Sequence, residues 1–143
     1  MFENLALGTI VISATVVIHT LGLMAVTRAM NWVTTHMRSH GRRSRILALN
    51  SAVLGIFAVL TVEIWLWAVT YMAIGVFDNF EEALYFSTAT FTTVGYGDIV
   101  LDKDWRLLSA LESVNGLLLI GWSTAFLIAA SIRVGPFRQG EHF

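Results

Sequence analysis

Three long stretches of this chain carry almost no charge. Residues 5–27 have none, residues 46–77 have only Glu63, and residues 107–132 have only Glu112. Each run exceeds the ~20 residues a helix needs to cross ~30 Å of hydrocarbon. A chain that is 56% hydrophobic and 13% charged, with mean hydropathy +0.69, is also too apolar for an ordinary soluble domain. The expectation is an all-α membrane protein with three transmembrane helices. The first run is not read as a signal peptide, because its positive charges follow it and no small-residue cleavage pattern stands out. Without cysteine, the chain has neither a disulfide framework nor a thiolate metal site.

Orientation follows from the cations. Arg28, Arg38, Arg42, Arg43 and Arg45 lie between the first two runs, and Arg133 and Arg138 follow the third, so seven of nine Lys and Arg share one side. The positive-inside rule makes that side cytoplasmic, with the N-terminus outside, the C-terminus inside, and residues 78–106 at the outer face. That outer segment is acidic on balance: Asp78, Glu81, Glu82, Asp98, Asp102 and Asp104 outnumber Lys103 and Arg106, and concentrate approaching cations. The basic connector, residues 31–45, suits anionic lipid headgroups. Trp65, Trp67 and Tyr71 fall in the outer half of the second run, and those nearest the boundary are expected to anchor the helix at the interface.

Between the second and third runs, Asp78 or Asn79 can cap a helix, and Glu81 and Glu82 suit the positive end of its dipole. A helix over residues 80–92 is only ~18 Å long and cannot cross. The glycine-containing stretch 94–98 then breaks it. Non-helical backbone at membrane depth survives only where protein buries it or water and ions contact it. The pattern predicts a re-entrant pore helix and a loop lining a polar path. Backbone carbonyls can replace the hydration shell of a potassium ion without holding it as tightly as carboxylates would. Pointing successive carbonyls at one axis requires alternating backbone conformations, which Gly95 and Gly97 permit. Thr93 adds a hydroxyl below them, and four chains are needed to surround the ion.

The run Thr92-Thr93-Val94-Gly95-Tyr96-Gly97-Asp98 resembles the signature of the potassium-channel family, on which the general description of carbonyl-lined filters rests. The resemblance covers residues 46–132 and looks like a small bacterial-type channel without a voltage sensor, in a plasma membrane. It implies a homotetramer whose filter is residues 93–97. Potassium, as permeant ion and not cofactor, binds at the carbonyls of Thr93, Val94, Gly95 and Tyr96, with Gly97 completing the loop. The Tyr96 ring is expected to point away from the ion onto the pore helix, where Tyr85 and Phe86 stand. Asp98 is expected to hydrogen-bond behind the loop, with Tyr85 as its partner. Ala89 occupies a position where some relatives carry a second acid. Glu112 either supplies that support from the third span or reaches outer-face water. Gly116 falls near the family's inner-helix hinge and is equally suited to close helix packing; Gly121 is read as a packing residue, and Thr124 by register faces the cavity below the filter. An aromatic at position 96 accompanies potassium selectivity, whereas the proline common after the filter is absent. The implied layout is an added helix and connector over residues 1–45, a pore domain over 46–134 and a tail over 135–143. Within the pore domain the outer helix is 46–77, the pore helix 80–92, the filter 93–97 and the inner helix 105–133.

Glu63 needs a partner in the membrane, and His19 or a hydroxyl such as Thr88 can supply one, in a structural role. His36 and His40 are four residues apart with nothing acidic beside them, which suits solvated or lipid-facing histidines better than a metal pair. No run carries arginine at every third position, so voltage sensing by that device is not expected. The eleven residues after Ile132 are too few for a ligand-binding domain, leaving gating to the pore, the connector, lipid, pH or a separate regulatory partner. No hydrolase grouping, metalloprotease motif or phosphate-cradling loop suggests an enzyme, and nothing suggests nucleic acid. The alternatives to a potassium channel are a non-selective cation channel and a non-conducting regulatory or assembly subunit of a potassium transport complex.

Overall fold

A computed structural model describes residues 2–36 and 41–134, which form four helices: α1 (Phe2–His36), α2 (Gly41–Ala73), α3 (Phe80–Phe91) and α4 (Arg106–Val134). The expectations that concern Arg38, His40 and residues 135–143, and the side chains of Arg42 and Arg43, lie outside the described residues. Among the described residues there is no strand, and α1, α2 and α4 are each long and apolar enough to cross a membrane. The protein is a helical membrane protein.

α1 and α4 run parallel, with α2 antiparallel to both. Asn4 meets Asp104, Gly8 lies against Leu108 and Leu111, and Thr15 meets Asn115, so α1 residues pair with α4 residues about one hundred positions later. Against α2 the numbering runs the other way: Gly22 faces Val59 and His19 faces Glu63. Lipid offers no hydrophobic drive for helices to associate, so small residues permitting close approach and polar contacts between helices carry the packing. A Cβ on Gly55 would come within 2.6 Å of Val26, and one on Gly22 would overlap Val59. These glycines set the α1–α2 spacing.

α2 stops at Ala73, short of the residue 77 expected from the uncharged run. Gly75 adopts φ +74, its N–H bonding to the Met72 carbonyl at 3.0 Å, and the Val76 N–H reaches back to Tyr71 at 2.9 Å. This paired closure is how a left-handed glycine ends a helix. At its other end α2 extends to Gly41, past the first uncharged residue, because charged residues continue a helix readily once it leaves hydrocarbon.

The main core lies where α2, α3 and α4 meet. Trp67, Tyr71, Phe86, Phe91 and Leu108 are buried together, with the Tyr71 ring edge-on to Phe77 and Phe86. The expectation of interfacial anchoring is therefore corrected for Tyr71, the aromatic nearest the boundary: it is fully buried, with Phe86 of α3 packed on its ring, and Trp67 is fully buried one turn before it. Trp65, half exposed and edge-on to Phe80, keeps a surface position. A smaller cluster of Val26, Met30, Ala52 and Ala130 joins α1, α2 and α4 at the opposite end.

Glu63 is fully buried and pairs with His19, Nδ1 to Oε1 2.9 Å, whereas Thr88 bonds its own helix at Leu84. Removing one member of such a pair strands the other. Glu63→Leu is expected to destabilise the fold by about 1–3 kcal/mol, the cost of leaving a buried polar group without its partner, and the double variant His19→Leu/Glu63→Leu by less. Thermal unfolding in detergent distinguishes the two; equal losses contradict a coupled pair.

Candidate functional site: the loop after the short helix

α3 is built to end at a defined point. Its N-cap is Asn79, in extended backbone, whose side chain accepts from the Glu81 N–H at 2.9 Å, and Glu81 and Glu82 occupy the first turn. After twelve helical residues the helix closes on Thr92, whose N–H bonds to the Thr88 carbonyl, while the Thr93 N–H bonds to the Thr90 carbonyl. The helix therefore directs the negative end of its dipole at the loop that follows, which favours a cation there.

In that loop the backbone alternates. Thr93 has φ +62, Gly95 φ +53 and Gly97 φ +75, whereas Val94 and Tyr96 stay at negative φ. Residues in the left-handed region at every second position turn successive peptide units so that their carbonyls face one way. The Gly95 N–H is tied back to the Ala89 carbonyl at 3.0 Å. Glycine tolerates this conformation, but Thr93, a β-branched residue, does so at a cost of about 1–3 kcal/mol. Strain of that size persists where surrounding structure imposes it, and it marks Thr93 as part of the site. Thr93, Gly95 and Gly97 line an open cavity of about 280 Å³ that extends to Ser109 and Ser113 of α4. Val94 and Tyr96 are 54% and 72% exposed.

Asp98 is held from two sides. Its Oδ2 accepts from the Tyr85 hydroxyl at 2.7 Å and its Oδ1 from the Ile99 N–H at 3.1 Å. The Tyr85 bond holds the Asp98 carboxyl below the ordinary carboxylate value and pushes Tyr85 above the ordinary phenol. Because the folded value of Asp98 is the lower one, its contribution is present above the unfolded value and is lost as pH falls through the folded value. Tyr85→Phe is expected to raise the Asp98 titration midpoint, read by carboxyl carbon NMR; an unmoved midpoint contradicts the role given to the tyrosine.

The other sequence-predicted residues divide. Glu112 is fully buried, not at outer-face water, and accepts from the Tyr71 hydroxyl at 2.8 Å. Ser87 of α3 faces the same carboxyl without completing hydrogen-bond geometry. Glu112 thus braces α4 against α2, with Ser87 of α3 beside it. Phe86 does not meet Tyr96 within the protomer: it turns toward Tyr71 and Phe77, while Tyr96 projects outward. Gly116 packs so closely that a Cβ would overlap the Phe91 carbonyl oxygen. Gly121, expected to pack, has nothing within 4 Å of its Cβ position in the protomer. Thr124 is exposed on α4 and bonds to the Ile120 carbonyl at 2.9 Å.

Sequence reasoning missed the left-handed Thr93, the Tyr71–Glu112 bond and the Thr15–Asn115 bond. The last two join residues 41 and 100 positions apart. A polar residue recurring on the buried stripe of α1 was the available signal for Thr15.

No curated protein and no solved structure matches the chain. A family model described as an ion channel matches residues 57–132, more than half of the chain, and includes about half of α2, all of α3, the loop and nearly all of α4. With three apolar helices and an alternating loop held at the end of a short fourth, the chain belongs to this ion channel family.

Proposed function

We propose that the protein is a potassium-selective channel, a homotetramer whose filter is residues 93–97. The observation that carries this is the alternation of left-handed backbone at Thr93, Gly95 and Gly97, the conformation that rows of ion-facing carbonyls require. One protomer supplies one wall of such a path. Its loop is exposed, and α4 presents an uncovered apolar face including Val114, Leu117, Leu118, Ile128 and Ile132, as a subunit does when its partners are needed to enclose the ion. In this assembly α3 is the re-entrant pore helix, α2 the outer helix and α4 the inner helix, with Thr124 and Gly116 below the filter. Exposed Tyr96 then packs on a neighbouring subunit. Arg28, Arg45 and Arg133 gather at the end of the bundle opposite Asp98 and Asp104, which supports a cytoplasmic basic end and an outer acidic mouth.

Purified protein reconstituted in liposomes is expected to release potassium down its gradient and to run as a four-chain species after cross-linking in the same membranes. Potassium retention by vesicles that demonstrably hold tetramers contradicts conduction by this chain alone, and points to the regulatory-subunit alternative.

A further inference from the structure

The family model begins at residue 57, which leaves α1 outside it. α1 touches α2 and α4 but not α3, so it lies on the side of the protomer away from the loop. Its buried residues form one stripe, Asn4, Gly8, Val11, Thr15, His19, Leu23, Val26 and Met30, and three of the eight are polar at hydrogen-bonding positions. Two of those three point at α4 or the segment leading into it. Asn4 donates to the Asp104 carbonyl, and Thr15 accepts from Asn115 Nδ2 at 2.9 Å in a fully buried contact. The third, His19, is held by Glu63 and lays its ring 5.2 Å from that of Trp122.

These contacts bracket Gly116. Asn115 precedes it directly, Asn4 and Gly8 hold α4 above it, and Trp122 lies below it, followed by the Met30–Ala130 cluster. Above Gly116 the interface is tight, with Gly8 against Leu111. Below Trp122 it loosens: a cavity of about 120 Å³ opens between α1 and α4, lined by Thr27, Met30, Asn31, Phe126, Ala129 and Arg133. The Thr15–Asn115 bond and the His19–Trp122 ring contact thus lie between the tight upper interface and this cavity.

We infer that α1 is a tether on the ion-path helix, with Thr15 and His19 as positioning residues that act through Asn115 and Trp122. The inference rests on the proposed function, since it takes α4 to be the helix that surrounds the conduction axis. A helix behind α4 that bonds to it draws it away from that axis. Releasing the tether removes a force that opposes convergence of the four α4 helices and favours the closed pore. Thr15 is the cleaner handle, because Thr→Val keeps the shape and removes the hydroxyl, which accepts from Asn115 and donates to the Ile12 carbonyl of its own helix, while Ser restores both bonds.

In planar bilayers, Thr15→Val is expected to lower the open probability by about threefold or more, the shift one interhelical hydrogen bond in a membrane can supply. Unitary conductance and the potassium–sodium reversal potential stay unchanged, and Thr15→Ser returns the native open probability. A purely structural role for Thr15 would lower tetramer yield without moving open probability. An open probability that is unchanged or raised in Thr15→Val overturns the tether. If the native protein passes no current, the proposed function fails instead, and the tether is tested without current. The cysteine-free chain accepts spin labels at Met24 and Ile128, both about half exposed, in protomers diluted with unlabelled ones. A distance distribution that shifts or broadens in Thr15→Val and recovers in Thr15→Ser supports the tether; one identical in all three overturns it.

Discussion

Gly97→Ala is expected to reduce potassium flux by at least about 100-fold while leaving assembled tetramers. Gly97 sits at φ +75 with nothing within 4 Å of its Cβ position in the protomer, so space within the protomer is not the obstacle. The obstacle is the backbone itself. An L-residue in the left-handed region costs roughly 1–2 kcal/mol relative to its ordinary conformations. In the proposed assembly four such loops meet at one axis, so the conducting geometry loses roughly 4–8 kcal/mol in total. Each ~1.4 kcal/mol is a factor of ten in an equilibrium, which sets the 100-fold bound with a margin. The helices are untouched, because the loop contributes no residue to the buried core. Flux retained within tenfold of native, in tetramers of native stability, contradicts the assignment of Gly97 to the ion path.

The second large effect is on assembly of the fold. Gly116→Ala is expected to destabilise the protein by about 3 kcal/mol or more, at or beyond the upper end for overpacked cores. The added Cβ meets the carbonyl oxygen, carbonyl carbon and Cα of Phe91, all backbone at the closing turn of α3. No side chain can rotate away, so α3 and α4 must part, and with them the base of the loop and the Glu112–Tyr71 brace. Gly121→Ala is the matched control. Its Cβ meets nothing within 4 Å in the protomer, and replacing a helical glycine by alanine gains about 0.5–1 kcal/mol. Melting the two variants side by side in detergent tests the contrast; equal melting temperatures contradict the close packing at Gly116.

Much of this was legible in the sequence, for physical reasons that differ by element. The three long helices follow from uncharged runs, since hydrocarbon tolerates few alternatives to a helix. The bounds of α3 follow from a cap residue at one end and glycines at the other. The His19–Glu63 bond was legible because a carboxyl inside a membrane demands a partner and few candidates exist, whereas the Tyr85–Asp98 bond followed only from the resemblance of residues 92–98 to the potassium-channel signature. What escaped depends on which face of a helix meets which neighbour. The hydropathy of α2 does not distinguish a lipid-facing Tyr71 from one buried under α3, and uniform apolarity leaves no stripe to locate. The end of α2 was overestimated because apolar residues 74–77 continue past the Gly75 stop into the loop, where Phe77 packs on the core. Thr93 escaped because nothing in a threonine announces positive φ. Its neighbours impose it.

Potassium selectivity is the central claim, and the most direct measurement is the reversal potential of reconstituted protein with potassium on one side of the bilayer and sodium on the other. A potential close to the potassium equilibrium value is the result expected of carbonyl rings at Thr93 to Gly97. A potential near zero in a conducting native protein contradicts the account and makes this a general cation pore.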